Sequence, residues 1–213
     1  MEYLSTMTTR VPDGTPGDEV DDVRAREAAH TRELAARGQV LRLWRPPLAP
    51  GEWRTLGLFA APDAAELDRI LASMPLRVWR SDEVTELTPH PNDPAPAASS
   101  PRQPGTAQTG TEFFVKFTQD VPAGTPAQDV EEAAAREAER GSELADQGHL
   151  IRLWALPARN GVPSALGLWR ADGEAEMQAI LESLPLAKYQ TTQVTQLTPH
   201  PSDPGAPGSR PPR

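Results

Sequence analysis

Hydrophobic and polar positions follow the same pattern twice along this 213-residue chain. Residues 1–94 align without a gap with residues 111–204, at a constant spacing of 110 residues. In each copy, a short segment of alternating polarity predicts a strand. A longer segment with apolar residues at helical spacing follows it and ends at a glycine, Gly38 or Gly148. The pattern therefore predicts a tandem duplication of one domain.

Each copy predicts six elements in the order β-α-β-β-α-β, which is the ferredoxin-like order and an α+β fold class. The predicted strands are Glu2–Thr9, Val40–Trp44, 55–59 and Ser81–Thr88, and then Glu112–Gln119, Leu150–Trp154, 165–169 and Thr191–Thr198. The predicted helices are 18–37, Ala64–Met74, 128–147 and Glu174–Leu184, and loops are predicted at 46–53 and 156–163. Because each sheet has helices on one face only, we expect the two sheets to pack face to face as an internal pseudo-dimeric α+β barrel.

Segments rich in Pro, Ala, Ser and Gly mark the predicted domain boundaries. The first repeat is predicted to cover residues 1–91 and the second residues 111–201. Residues 92–110 form the predicted linker, and residues 202–213 are predicted to be a disordered tail. Such a linker is long enough to let one repeat fold back onto the other.

Composition excludes several classes of function. The net charge of -9 and the lack of a Lys/Arg cluster argue against a nucleic-acid partner. The absence of Cys excludes disulfides, thiolate nucleophiles and Cys-based metal sites, and the four His show no metal-ligand spacing. No apolar run approaches the roughly 18 residues of a membrane span, and the N-terminus does not resemble a signal peptide. We expect a soluble, cytoplasmic protein without a membrane partner.

One glutamate in each copy lies where the helix pattern requires an apolar residue. Glu27 is seven residues after Val20 and seven before Leu34, and Glu137 is flanked by apolar residues in the same way. A carboxylate on a core-facing stripe is unfavourable unless it is paired or protonated. Two interpretations remain open: a structural ion pair with Arg42 or Arg152 of the following strand, or a functional acid/base.

The order of these residues resembles the muconolactone Δ-isomerase family over both copies. The first copy carries the resemblance in Glu27, Gly38, Leu43-Trp44-Arg45, Met74-Pro75-Leu76, Val84, Leu87 and His90-Pro91. The second copy carries it in Glu137, Gly148, Leu153-Trp154, Leu184-Pro185-Leu186 and His200-Pro201. The chain departs from the family in its fusion of two domains, in Ala155 at the place of Arg45, and in a longer loop after Trp44.

The resemblance implies an isomerase that moves a proton and a double bond in a small unsaturated lactone, without a metal or an organic cofactor. It implies Glu27 and Glu137 as acid/base groups. Arg42 and Arg152 would hold the oxyanion or a substrate carboxylate, unless they only neutralise the glutamates. The candidate substrate-binding residues are Trp44, Arg45, Trp53, Trp154, His90 and His200. The tryptophans could equally be core aromatics, and the histidines could be strand-end caps.

Two other functions fit the same scaffold. One is a cyclase or another enolisation enzyme of a specialised pathway, and the other is a non-catalytic ligand-binding or assembly module. The copies differ most around the predicted pocket loop, so we expect two unequal pockets with the first repeat the more active. The internal pseudo-dimers could also assemble into a homo-oligomer.

Overall fold

The computed structural model describes residues 1–94 and 110–206. Most of the predicted linker, residues 95–109, and the end of the predicted tail, residues 207–213, lie outside the described residues.

The described residues form eight strands and four helices, and each repeat has the predicted β-α-β-β-α-β order. The strands are β1 Glu2–Thr9, β2 Val40–Arg45, β3 Arg54–Ala60, β4 Arg80–Pro89, β5 Thr111–Gln119, β6 Leu150–Arg159, β7 Val162–Ala171 and β8 Gln190–Pro199. The helices are α1 Gly17–Ala36, α2 Ala64–Ser73, α3 Ala127–Asp146 and α4 Glu174–Glu182. Two 3₁₀ turns that the pattern did not predict follow α2 and α4, at Pro75–Trp79 and Ala187–Tyr189. The predicted α+β class and ferredoxin-like order are confirmed.

The predicted second-repeat loop, residues 156–163, is wrong. Strands β6 and β7 continue through most of it and leave Asn160-Gly161 as a two-residue connection. Both residues have positive φ, 53° and 77°. Asn-Gly is the pair that favours such tight hairpin turns, so the turn was readable from the sequence. The corresponding loop of the first repeat, residues 46–53, remains a loop.

The chain divides into two compact units that differ from the predicted repeats. The first unit comprises Met1–Leu87 together with the chain from Thr198 onward, and the second comprises Thr88–Leu197. In the first unit β1 pairs with β3 and β4, and β3 pairs with β2, all antiparallel. Residues 198–199 at the end of β8 pair with β2 of this unit, and residues 88–89 at the end of β4 pair with β6 of the second unit. Each unit thus contains the C-terminal segment of the other repeat.

The core of the first unit lies between the sheet and its two helices. Along β1, alternate residues from Tyr3 to Thr9 are buried. Tyr3 and Met7 pack with Leu34 of α1 and Leu67 of α2. This packing fixes the C-terminal part of α1 over the sheet.

The prediction of an unpacked tail from residue 202 is wrong for residues 202–206. Asp203, within this segment, is completely buried. It accepts a hydrogen bond from the Leu43 backbone at 2.9 Å. The packed part of the chain therefore extends beyond the last strand.

Candidate active site

Helix α1 directs Glu27 toward the interior of the first unit. The buried residues of α1 include Val23 and Thr31, which lie four residues before and four after Glu27 and so share its face. The Glu27 side chain is only 13% exposed. The carboxylate of Glu27 therefore lies on the buried face of α1, as its position in the sequence predicts.

Two donors hold the Glu27 carboxylate. The Leu76 N–H donates to one oxygen at 2.8 Å, and the guanidinium of Arg80 donates to the other at 3.1 Å. Arg80 is almost fully buried and also binds Asp82 at 2.7 Å. Burial raises the pKa of Glu27 above its ordinary value, and this effect outweighs the lowering effects of the Leu76 N–H and of Arg80. Arg80 also neutralises Asp82, so its charge offsets only part of the effect of burial on the pKa of Glu27.

Glu27 lines a cavity of about 300 Å³ that lies within the first unit. Its apolar lining comes from both sheet and helix-flanking residues and includes Met7, Leu43, Met74 and Leu76. Its charged lining residues are Glu27, Asp21, Arg24, Arg45 and Arg80. Because Arg80 is already bound by Glu27 and Asp82, the lining cations that favour an anionic ligand are Arg24 and Arg45.

His200 enters the same cavity from the segment that follows β8. Its Nδ1 accepts a hydrogen bond from the Ser202 N–H at 3.1 Å. A nitrogen that accepts carries no proton, so the neutral ring keeps its proton on Nε2 and can donate from there. Burial, together with the charges of Arg45 and Arg24, lowers the pKa of His200 to about 4. The ring is therefore a neutral donor at physiological pH.

Arg24 and Trp53 form part of the cavity wall beside His200. The Arg24 guanidinium lies 5.4 Å from the centre of the Trp53 ring, a cation–π distance. Arg24 also lies 3.6 Å from Asp21, but both side chains are largely exposed, so this ion pair is weak. The first unit thus brings together four residues of the predicted site: Glu27, Arg45, Trp53 and His200.

The structure places Arg42 and Trp44 elsewhere, and here the predicted site is corrected. Arg42 binds Asp203 rather than Glu27, with a closest distance of 3.1 Å. Its guanidinium lies 4.7 Å from the centre of the Trp44 ring, and Trp44 is fully buried. Neither residue lines the cavity. Strand alternation predicts that the two share a face, but it cannot identify the partner, which lies 161 residues further along the chain.

The second unit repeats this displacement of Arg152 and Trp154. Arg152 binds Asp93 at 3.1 Å, and its guanidinium lies 4.8 Å from the centre of the fully buried Trp154 ring. The predicted roles of Arg152 as an oxyanion donor and of Trp154 as a pocket wall are therefore not supported by their contacts.

Glu137 of the second unit has a different environment from Glu27. It accepts a hydrogen bond from the Leu186 N–H at 2.9 Å, and burial raises its pKa. Gln190 pairs with β5 where Arg80 pairs with β1, so an uncharged amide replaces the arginine. The Gln190 Nε2 is buried and has no hydrogen-bond partner among the described residues.

Three other lining residues of the first cavity are replaced, at the equivalent positions of the second repeat, by residues without a charge or an aromatic ring. Arg24 corresponds to Ala134, Arg45 to Ala155 and Trp53 to Pro163.

The second unit has a histidine, His90, that is equivalent to His200. The Nδ1 of His90 accepts a hydrogen bond from the Asn92 N–H at 3.1 Å, and burial lowers the pKa of the ring. The second unit keeps the glutamate and the histidine but has no arginine at the positions equivalent to Arg24, Arg45 and Arg80.

We expect Glu137→Gln to raise the melting temperature at pH 7. Since the folded-state pKa of Glu137 lies above the ordinary 4.5, stability is lost as pH rises from that value through the folded-state pKa. A glutamine can still accept the Leu186 N–H but carries no charge, so it avoids this loss. At about pH 3 the carboxyl is protonated in both states and the advantage should vanish. Thermal denaturation at the two pH values tests this, and a lower melting temperature at pH 7 would contradict it.

Arg80, Arg24 and Asp203 are the site-related residues that sequence reasoning missed. A signal for Asp203 was available, because Asp93 and Asp203 recur at the same place in the motif that ends each repeat. No such signal marked Arg80, since its counterpart is a glutamine.

Comparison with known proteins matches this chain to one family. The family model for muconolactone delta-isomerase matches residues 1–93 and 111–203, which is most of the chain and both repeats. The chain belongs to the muconolactone Δ-isomerase family. The predicted family and the predicted isomerase class of enzyme are thereby confirmed.

Relatives in the muconolactone Δ-isomerase family correspond in length to one repeat. Muconolactone Delta-isomerase 1 of Acinetobacter lwoffii is 34% identical over 92 residues, which cover 43% of this chain and 93% of the relative. Muconolactone Delta-isomerase of Cupriavidus pinatubonensis (strain JMP 134 / LMG 1197) is 32% identical over 92 residues, 43% of this chain and 97% of the relative.

Solved structures resemble the chain over nearly its whole length. A heme-binding protein from Thermus thermophilus has a TM-score of 0.59 at 14% identity, covering 95% of this chain and 93% of its own. A mutant of chlorite dismutase from Candidatus Nitrospira defluvii has a TM-score of 0.59 at 10% identity, covering 93% of this chain and 91% of its own. At these identities the likeness shows the fold alone.

Neither a metal-ligand cluster nor a membrane-spanning helix occurs in the described part of the chain. Within residues 1–94 and 110–206, no group of three or more His, Asp or Glu side chains is placed to hold a metal ion. In the same ranges, no helix has the length and apolar character needed to cross a membrane.

Proposed function

We propose that the cavity of the first unit catalyses a cofactor-independent isomerisation of a small unsaturated lactone that carries a carboxylate. Glu27 removes an allylic proton, the electron pair delocalises into a dienolate, and Glu27 returns the proton to another carbon. The product therefore has the same atoms as the substrate. The observation that carries this proposal is the position of Glu27, a carboxylate with a raised pKa in a cavity that also contains a neutral histidine donor.

The environment of Glu27 suits a group that must both accept and return a proton. A carboxylate with an ordinary pKa holds a proton too weakly to be an efficient base near neutral pH, and burial corrects this. Arg80 and the Leu76 N–H keep the ionised form available and fix its orientation. Glu27 therefore has both requirements of an acid/base catalyst, a stable orientation and a raised proton affinity.

His200 is the proposed donor to the oxygen of the dienolate. Its neutral Nε2–H can form a hydrogen bond that strengthens as negative charge develops on the lactone oxygen. Burial, together with the charges of Arg45 and Arg24, lowers the pKa of the ring and keeps it from taking up a second proton. This donor replaces the predicted role of Arg42, which is engaged with Asp203.

Arg24 and Arg45 are the proposed binding groups for the substrate carboxylate. Both line the cavity, and the charges of both add to the effect of burial in lowering the pKa of His200. Trp53 beside Arg24 offers an apolar wall for the ring of the substrate. The names of the relatives point in the same direction, because muconolactone is such a carboxylate-bearing lactone.

The experiment is a turnover assay of the full chain with muconolactone in deuterated water, followed by NMR. We expect double-bond migration, loss of signal at the carbon that receives deuterium, and weaker binding of the methyl ester of the substrate. Turnover of other enolisable carbonyl compounds without turnover of the lactone would favour a cyclase or another enolisation enzyme. Absence of both turnover and deuterium exchange would overturn the enzymatic proposal and favour a binding module.

A further inference from the structure

The segment after β8 is attached to the first unit through a buried carboxylate. Asp203 is completely buried and binds Arg42 through two guanidinium nitrogens, at 3.2 and 3.1 Å. It also accepts the Leu43 N–H at 2.9 Å and the Gly205 N–H at 3.1 Å. Loss of one partner from a buried pair leaves the other charge uncompensated, so this contact strongly fixes the segment. We call Asp203, Arg42 and the Leu43 N–H the first clamp.

Aromatic packing and close backbone contact hold Arg42 in place within the first clamp. On one side its guanidinium lies 4.7 Å from the centre of the buried Trp44 ring. The backbone at Gly205 approaches Arg42 so closely that a Cβ at this position would collide with the guanidinium. Arg42 therefore has little freedom, and Asp203 is held to a defined position on the sheet.

His200 lies between two fixed points of the chain. Upstream, Thr198 pairs with Arg45, and the His200 N–H donates to the Leu43 carbonyl at 3.1 Å. Downstream, the Asp203 N–H donates to the His200 carbonyl at 2.8 Å. Only two residues separate the histidine from Asp203, so the carboxylate limits where the imidazole can go.

We propose that Asp203 is a positioning residue that holds the His200 imidazole in the first cavity through the first clamp. Asp203 does not line the cavity, so any effect on turnover is indirect. That effect rests on the proposed function, whereas the placement of the imidazole does not.

The second unit provides a matched control. Asp93 binds Arg152 at 3.1 Å and accepts the Leu153 N–H at 3.0 Å, an arrangement that repeats the first clamp beside His90. The chemistry and the burial are alike, but His90 has no equivalents of Arg24 and Arg45 beside it. Asp203→Asn and Asp93→Asn thus make the same local change, but only Asp203 follows a histidine that lines the proposed active cavity.

The experiment measures the pKa of His200 by NMR in the full-length protein, together with kcat, KM and thermal stability. In the wild type we expect a pKa of about 4. In Asp203→Asn we expect it to rise toward the ordinary value of about 6.5, as the imidazole leaves the cavity. We expect kcat to fall about 10- to 100-fold with little change in KM, because the donor is displaced. Asp93→Asn should lose similar stability without changing the His200 pKa or kcat.

Several outcomes separate the inference from the proposed function. An unchanged His200 pKa in Asp203→Asn, or an equal change in Asp93→Asn, would overturn the positioning role. A shifted pKa in a protein whose wild type has no turnover would support the positioning role and overturn the proposed function. If Asp203→Asn does not fold, Arg42→Lys keeps the charge and loses the forked contact, with Arg152→Lys as its control. A smaller rise of the His200 pKa confined to Arg42→Lys is then expected, and no rise would overturn the inference.

Discussion

Glu27→Gln should lower kcat by about 100- to 10,000-fold, the range expected when a general acid/base is removed. Glutamine can still accept the Leu76 N–H and occupies nearly the same volume, so the cavity should keep its shape. What it cannot do is take a proton from carbon. Steady-state kinetics and deuterium exchange, measured on the same preparation, test the loss.

Glu137→Gln is the matched control for the acid/base role. Glu137 also accepts a backbone N–H and has a raised pKa, but no counterparts of Arg24, Arg45 or Arg80 accompany it. We expect wild-type kcat in this variant. If Glu27→Gln keeps half of the activity and Glu137→Gln loses the other half, the two sites are equivalent, and the assignment to the first unit is wrong.

His200→Ala should lower kcat by about 100- to 1,000-fold, the effect of removing one donor to a developing oxyanion. KM should change less, because the carboxylate of the substrate still has Arg24 and Arg45. His200→Gln carries an N–H near the place of Nε2 and should recover part of the loss. The three enzymes are compared by steady-state kinetics with muconolactone.

His90→Ala controls for the general effect of removing a half-buried ring at a strand end. His90 has the same Nδ1 contact with a backbone N–H as His200. We expect its removal to affect stability but not kcat. Equal losses of kcat in His200→Ala and His90→Ala would indicate a structural role for both histidines and remove the donor from the mechanism.

Local signals predicted much of this fold. The helices ended near Gly38 and Gly148 because a glycine readily takes the positive φ found at both positions, 71° and 84°. Alternation predicted β1 with the bounds that the structure has. The β6–β7 hairpin was missed because the Asn160-Gly161 turn was interpreted as part of a loop. These successes and this error concern residues that are neighbours in the sequence.

The candidate site was predicted less completely. Glu27 was found because one helix face decides whether it is buried, and that face can be read from spacing. Its partner Arg80 is 53 residues away, and the choice between Arg80 and Arg42 depends on strand pairing. The same limit explains why Arg42 was assigned to the chemistry although Asp203 engages it.

The sequence by itself determined the duplication, the order of elements and the inward direction of Glu27, because periodicity and local turn preferences carry this information. It also determined the family, through the resemblance of its motifs to those of known members. Only the tertiary structure decided which arginine meets Glu27, that His200 enters the cavity of the first unit, and that Asp203 is buried. These contacts join residues far apart in the chain, and their energies depend on burial and on distances of a few ångströms. A one-dimensional pattern contains neither quantity.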